Sequence, residues 1–236
     1  MGKLQDKIIL VTGGSRGIGL AIARACGREG AKVVVAARDR RTLKRATSSI
    51  PGGALGIVAD VARPAAVDRL FLAVRKKFGR LDVLVNSAGV FTYKPFIRTT
   101  LEDWRRNIDS NLTSLFLTTR AALALFARSR APQLVNVLSI SSLQGFPNCS
   151  AYSASKFGAL GLTRVLTEEL RSRKIRVTAI IPGPTDTRLV REFGFPVDRK
   201  VLMQPEDVAE AVLAVLLQPP RTVTEQAVLM PSKGRL

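Results

Sequence analysis

An apolar run, Lys7-Ile8-Ile9-Leu10-Val11-Thr12, leads directly into the turn Gly13-Gly14-Ser15-Arg16-Gly17-Ile18-Gly19, and a helical pattern follows to about residue 28. No other feature restricts the fold so strongly. A strand that enters a helix through spaced glycines leaves backbone N–H groups open at the helix start, where partial positive charge gathers. The turn therefore predicts a phosphate-binding loop inside a βαβ unit. Gly13 lets the chain turn sharply, Gly17 lets backbone come close to a pyrophosphate, and Gly19 permits tight helix–strand packing. Glycines also collect in ordinary loops, so the weight rests on the position of the cluster after the first strand.

The rest of the chain repeats the alternation. Strands are predicted at residues 32–37, 55–59, 81–85, 134–138, 175–181 and 227–230, and helices at 40–48, 64–78, 101–128, 151–173 and 205–217. Alternating strands and helices imply an α/β fold with a parallel sheet covered on both faces, and right-handed crossovers make it doubly wound. No linker, repeat or low-complexity stretch interrupts residues 1–236, so one domain is expected.

Composition removes several kinds of chemistry. There is no histidine, which excludes histidine-based triads and histidine-ligated zinc, and two cysteines cannot form a four-thiolate site. No metal is expected, and proton chemistry falls to Tyr, Lys, Asp, Glu or Cys. Cys26 and Cys149 lie far apart and predict free thiols in a reducing compartment. The polar start Met1-Gly2-Lys3-Leu4-Gln5-Asp6 predicts no signal peptide, and the apolar runs are too short to span a membrane, so a cytoplasmic location is expected. Lys and Arg number 37 against 18 acidic residues, a net charge of +19. Such a surface could attract nucleic acid or an acidic protein. The basic residues are spread along the helices with no arginine-rich tail, so nucleic acid is not expected as a partner.

Tyr152 and Lys156 stand four residues apart on one helix face. A nearby ammonium favours a phenolate and should lower the tyrosine pKa toward neutrality. Alone, such a pair is ordinary helix surface. Here it accompanies Thr12-Gly13-x-x-x-Gly17-x-Gly19, Asp60 after the third strand, Asn86-Ser87-Ala88-Gly89 after the fourth, and Pro182-Gly183. Jointly these motifs resemble the short-chain dehydrogenase/reductase family over nearly the whole chain. Ser87 departs mildly from the family's usual Asn-Asn-Ala-Gly.

The resemblance implies a Rossmann-like doubly wound parallel sheet of seven strands and hydride transfer between a nicotinamide cofactor and a carbonyl–alcohol pair. It implies that Tyr152 is the acid/base, that Lys156 also holds the nicotinamide ribose, that Ser139 bonds the substrate oxygen, and that Asn111 supports a water linking Lys156 to solvent. The serine needs care, because the Ser-x-x-Gly pattern selects Ser142, while the usual separation of thirteen residues before Tyr152 selects Ser139. Ser139 is preferred, with Ser141 or Ser142 as alternatives. Cofactor contacts are implied for Gly13, Ser15, Arg16, Gly17, Ile18, Gly19, Arg38, Asp60, Val61, Asn86, Ala88, Gly89, Tyr152, Lys156, Ile181, Pro182, Gly183 and Thr187.

Cofactor choice follows from charge. An NAD site usually places a carboxylate at the end of the second strand; here Ala37 and then Arg38 stand there, and Arg16 adds a second guanidinium. Guanidinium groups bind a 2′-phosphate bidentately, which favours NADP(H). The competing reading makes both arginines part of the general basic surface, and Asp39 could serve a ribose if it pointed inward.

The substrate pocket is expected to draw on Ser139, Ser141, Leu143, Phe146, Tyr152 and Phe193, with Phe195, Val197 and Met203 nearby, an apolar set suited to a lipophilic or aromatic carbonyl. A carbonyl reductase is the leading reading. A 3-oxoacyl-[acyl-carrier-protein] reductase is the alternative, favoured by the positive charge, although the end of the chain lacks the glycine-rich segment usual in those enzymes. An alternative of another class is a non-catalytic dinucleotide-sensing or nucleic-acid-binding protein. Family resemblance also implies a homotetramer or homodimer packed through the helices at 101–128 and 151–173.

Overall fold

The computed structural model describes residues 2–191 and 201–232. The first half runs β1 (Ile8–Thr12), α1 (Gly17–Arg28), β2 (Lys32–Ala37), α2 (Arg40–Ser48), β3 (Ala54–Val58), α3 (Pro64–Phe78) and β4 (Val83–Asn86). The second half runs α4 (Leu101–Ile108), α5 (Ser114–Phe126), β5 (Gln133–Val137), α6 (Ser150–Arg171), β6 (Arg176–Pro182), α7 (Arg188–Arg191), α8 (Pro205–Leu216) and β7 (Gln226–Leu229). The seven strands form one sheet in the order β3-β2-β1-β4-β5-β6-β7, and every neighbouring pair is parallel. The expected doubly wound Rossmann-like sheet is therefore present.

Side chains of a strand point alternately to opposite faces, and β1 shows both destinations. Ile9 and Val11 join Ile22 of α1 and Val208 and Val212 of α8 on one side. Ile8 and Leu10 join Leu70 and Val74 of α3 and Phe126 of α5 on the other. Burial on both faces is why the central strands read as unbroken apolar runs. The edge strands β3 and β7 mix exposed with half-buried residues, since one of their sides is open. Local signals set the helix ends. Asp39 accepts from the N–H of Thr42 at 2.7 Å to open α2, Pro64 sits in the first turn of α3, and Gly79 closes α3 in the left-handed region at φ 73°.

One predicted element differs. Residues 101–128 do not form a single helix; a π-helical turn at Asp109–Thr113 separates α4 from α5. The apolar spacing continues across the break, so periodicity hides it. The reason lies in tertiary contacts, because the turn carries Asn111, whose side chain is claimed by backbone of a distant loop. Among the described residues, no helix is long and apolar enough to cross a membrane, and no group of three or more acidic or cysteine side chains could hold a metal. Both cysteines are free and buried.

Candidate active site

Strand order reverses between β1 and β4, and a crevice opens beyond their C-terminal ends. Two loops meet there. The Thr12 Oγ1 accepts from the N–H groups of Ser87 at 3.1 Å and Ala88 at 3.2 Å, which ties the glycine turn to the loop after β4. Gly13 adopts φ 66°, and a Cβ on it would stand 2.7 Å from the Ala88 Cα, so conformation and space both require glycine. Gly17, at φ 52°, lines the crevice at the start of α1, with Ile18 and Gly19 beside it.

The resulting cleft holds about 600 Å³. At one end, Arg16, Arg38 and Arg41 line it together with Asp39 and Thr42. The Asp39 carboxylate is engaged as the cap of α2, and the Thr42 N–H holds its pKa below the usual carboxylate range. Three guanidinium groups and a carboxylate already bound to a helix suit a ribose that carries a phosphate. Asp60 and Val61 follow on the same wall; the Asp60 Oδ1 accepts from the Ala62 N–H at 3.1 Å. Ser15, Ala88, Gly89, Pro182, Gly183 and Thr187 also line the cleft.

At the other end, α6 brings up Tyr152 and Lys156, each almost fully buried. Lys156 Nζ lies 5.8 Å from the centre of the Tyr152 ring and donates to the Val137 carbonyl at 3.2 Å. Ser139 stands just past the end of β5 with its side chain beside the tyrosine, and its Oγ accepts from the Ser141 N–H at 3.2 Å. Charge behaves differently from the sequence expectation. Burial pushes the Tyr152 phenol up to about 12, with the Ser139 side chain pulling it down, and burial pushes the Lys156 amine down to about 8. Desolvation, which opposes any charged form, is the largest cause for both groups.

Several expected residues sit elsewhere. Asn86 is buried and outside the cleft lining: its amide donates to Thr119 Oγ1 at 3.2 Å and Asn136 Oδ1 at 3.0 Å and accepts from Thr118 Oγ1 at 2.8 Å. It joins β4, β5 and α5 rather than facing a ligand. Asn111 also lies outside the lining. Its amide accepts from the Val90 N–H at 2.8 Å and donates to the Val90 carbonyl at 3.0 Å and Ser155 Oγ at 2.9 Å. With both amide hydrogens engaged, its side chain positions the loop after β4 against α6 and has no donor left for a water. Leu143 is 39% exposed and outside the lining, because the turn at Ile140–Ser142 carries it outward. Ile181 is fully buried in the sheet, and Met203 is also buried and outside the lining. Ser141 and Phe146 line the cleft, whereas Ser142 is buried with its hydroxyl unpartnered. Phe193, Phe195 and Val197 lie outside the described residues.

Sequence reasoning missed Arg41 and Phe91, both of which line the cleft. Arg41 falls on the first turn of α2, a position that the Asp39 cap could have pointed to. Phe91 lies just past a strand's C-terminal end, where open α/β sheets gather ligand contacts.

The comparisons agree with this geometry. The family model described as short chain dehydrogenase matches residues 7–195. An uncharacterized oxidoreductase of Staphylococcus aureus strain MRSA252 is 35% identical over 229 residues, covering 97% of this chain and 98% of its own. A 3-oxoacyl-[acyl-carrier-protein] reductase of a Synechocystis strain is 36% identical over 228 residues, covering 93% and 92%. Among solved structures, the alcohol dehydrogenase of the archaeon Thermococcus sibiricus, complexed with 5-hydroxy-NADP, superposes with a TM-score of 0.90 at 27% identity over 98% of this chain and 99% of its own. A metagenomic short-chain oxidoreductase in complex with NADP gives 0.86 at 31% identity with the same coverage. A sheet of this order, a glycine turn locked to the loop after β4, and a family match across most of the sequence lead to one conclusion: the chain belongs to the short-chain dehydrogenase family of oxidoreductases.

Proposed function

We propose that this protein is an NADP(H)-dependent oxidoreductase that interconverts a ketone or aldehyde and its alcohol, with residues 1–236 acting as one domain. The observation that carries this reading is the buried Tyr152, with the Ser139 side chain beside it and Lys156 against its ring, in the same cleft as Arg16, Arg38 and Arg41. The residues fit the cofactor. The turn at Gly13 is too close to Ala88 for any Cβ, and Asp39, which stands among the cations at the far end, is engaged as a helix cap. When NADP(H) binds, Arg16, Arg38 and Arg41 would hold the 2′-phosphate, the start of α1 would hold the pyrophosphate, and Pro182, Gly183 and Thr187 would contact the nicotinamide end. The bound cofactor supplies or accepts the hydride. Tyr152 gives its proton to the carbonyl oxygen in reduction and takes it back in oxidation. Ser139 donates to that oxygen and holds it near the phenol. Lys156, held by the Val137 carbonyl, supplies positive charge beside the ring.

A 3-oxoacyl-[acyl-carrier-protein] reductase is the second reading, favoured by the relative at 36% identity and by the +19 charge that would attract an acidic carrier. Exposed apolar residues on α4, α5 and α6 support a homodimer or homotetramer. The test is NADPH oxidation with a panel of free ketones and a carrier-bound 3-oxoacyl group. Turnover with the panel, preference for NADPH over NADH, and loss of turnover in Tyr152→Phe with NADPH affinity kept within about threefold are expected. Retained turnover in Tyr152→Phe refutes the chemistry.

A further inference from the structure

Phe91 occupies a position that the reaction described above leaves without a role. It lines the cleft, half-buried, and its ring centre lies 4.4 Å from that of Tyr152 with the planes at 66°, an edge-to-face pair. Tyr93, two residues on, lies parallel to it at 10° with centres 6.3 Å apart. Phe91 and Tyr152 thus set two planes at the end of the cleft where the phenol sits, and Tyr93 stacks on Phe91 from outside the lining. Phe146 and Cys149 line the same cleft and add no charge.

The backbone under Phe91 is fixed on both sides. Val90 is held through both its N–H and its carbonyl by Asn111, and the Thr92 hydroxyl accepts from Asn107 at 2.7 Å. The Lys94 N–H donates to the Asn148 carbonyl at 2.8 Å, which joins this segment to the loop that precedes Tyr152, and Lys94 Nζ pairs with Asp103 at 2.6 Å. A ring carried on a segment pinned at three successive points presents a rigid face, and rigid apolar faces discriminate by shape. Cys149, which also lines the cleft, is itself buried.

We infer that Phe91 is the specificity-determining residue of the proposed reaction, and that it selects carbonyls borne on a flat aromatic or conjugated skeleton. This rests on the carbonyl–alcohol reading and adds the substrate class to it. A flat skeleton offers its face or edge to the Phe91 ring while its C=O meets Tyr152 and Ser139. A puckered ring of the same size cannot approach that plane over its whole area, so it loses contact and the ring–ring term.

The test compares acetophenone with cyclohexyl methyl ketone, which share a size and differ in planarity, in NADPH-dependent reduction by the wild type, Phe91→Leu and Phe91→Tyr. Taking variant over wild type cancels the ketones' intrinsic reactivities. In Phe91→Leu the ratio of kcat/KM for the flat over the puckered ketone should fall about three- to tenfold, mainly through KM, and Phe91→Tyr should restore it. An equal loss on both ketones would mean that Phe91 merely props up Tyr152, and an unchanged ratio would mean that it does not select; either overturns the inference. Calorimetric binding of 2-naphthol to the NADP-loaded protein gives a readout without turnover. Binding weakened by Phe91→Leu supports the aromatic slot even if the wild type reduces neither ketone, in which case the carbonyl chemistry alone falls. No binding of 2-naphthol together with no preference between the ketones removes the slot.

Discussion

Lys156, to which the proposed reaction assigns a positive charge beside the phenol, sits in the fold at a cost. Its amine titrates near 8 in the folded chain against 10.5 when unperturbed, because it is buried. Below pH 8 both folded and unfolded chains hold the proton, and the folded state carries the full penalty of a buried ammonium. Between pH 8 and 10.5 the folded chain releases that proton while the unfolded chain keeps it, so this group's contribution to stability rises with pH across the window. Lys156→Met removes the charge and keeps most of the volume. At pH 7 it should stabilise the protein by about 1–3 kcal/mol, or roughly 3–10 °C in Tm, while eliminating turnover. Thermal melts of both proteins at pH 7 and pH 9 check this, and the gap should narrow at pH 9. A variant less stable than wild type at pH 7 would show that the bond to the Val137 carbonyl outweighs desolvation. That Tyr152 and Lys156 would stand on one helix face was legible from spacing, and both line the cleft. Their proton affinities were not, since burial is a property of the packed site and no four-residue pattern encodes it.

Secondary structure was most legible where one physical period governed a whole segment. The alternation of strands and helices announced a parallel sheet covered on both faces, and the helices expected at 40–48 and 64–78 have those bounds, where Asp39, Pro64 and Gly79 act locally. The break in the helix after residue 108 was illegible, because the cause of the π turn lies on another strand's loop. Asn111 makes three hydrogen bonds there, two of them to the backbone of Val90. Leu143 failed for a similar reason: its hydrophobicity suggested a pocket, and a short turn sends it outward. The π turn supplies a prediction. Asn111→Leu is close to isosteric and removes all three bonds, leaving the buried N–H of Val90 without a partner. Urea unfolding should show a loss of about 2–4 kcal/mol, accompanied by a large fall in kcat as the loop after β4 loses its anchor on α6. A variant of wild-type stability would mean that the turn holds itself and that Asn111 is its passenger.

At the scale of the whole molecule, charge and apolar surface oppose each other. Each chain carries +19, so two copies repel. Yet Leu101 and Trp104 on α4, Phe116 on α5, and Phe157 and Val165 on α6 are each more than two-fifths exposed, an apolar set on the helices expected to meet a second copy. Repulsion between exposed charges reaches about 30 Å at 0.01 M salt and only about 8 Å at physiological strength, whereas burial of apolar surface is not screened. The two terms therefore predict the sign of a salt titration. Sedimentation at fixed protein concentration should show association strengthening as salt rises from low to physiological strength, and Phe157→Glu, which adds a charge to the apolar face, should shift the protein toward the monomer at every salt concentration. Engagement of an acidic carrier protein must respond in the opposite direction, since added salt screens attraction as readily as repulsion. An oligomer that dissociates as salt rises would place its stability in ion pairs between copies, and these apolar helix faces would then have to be covered by something other than a second copy of the chain.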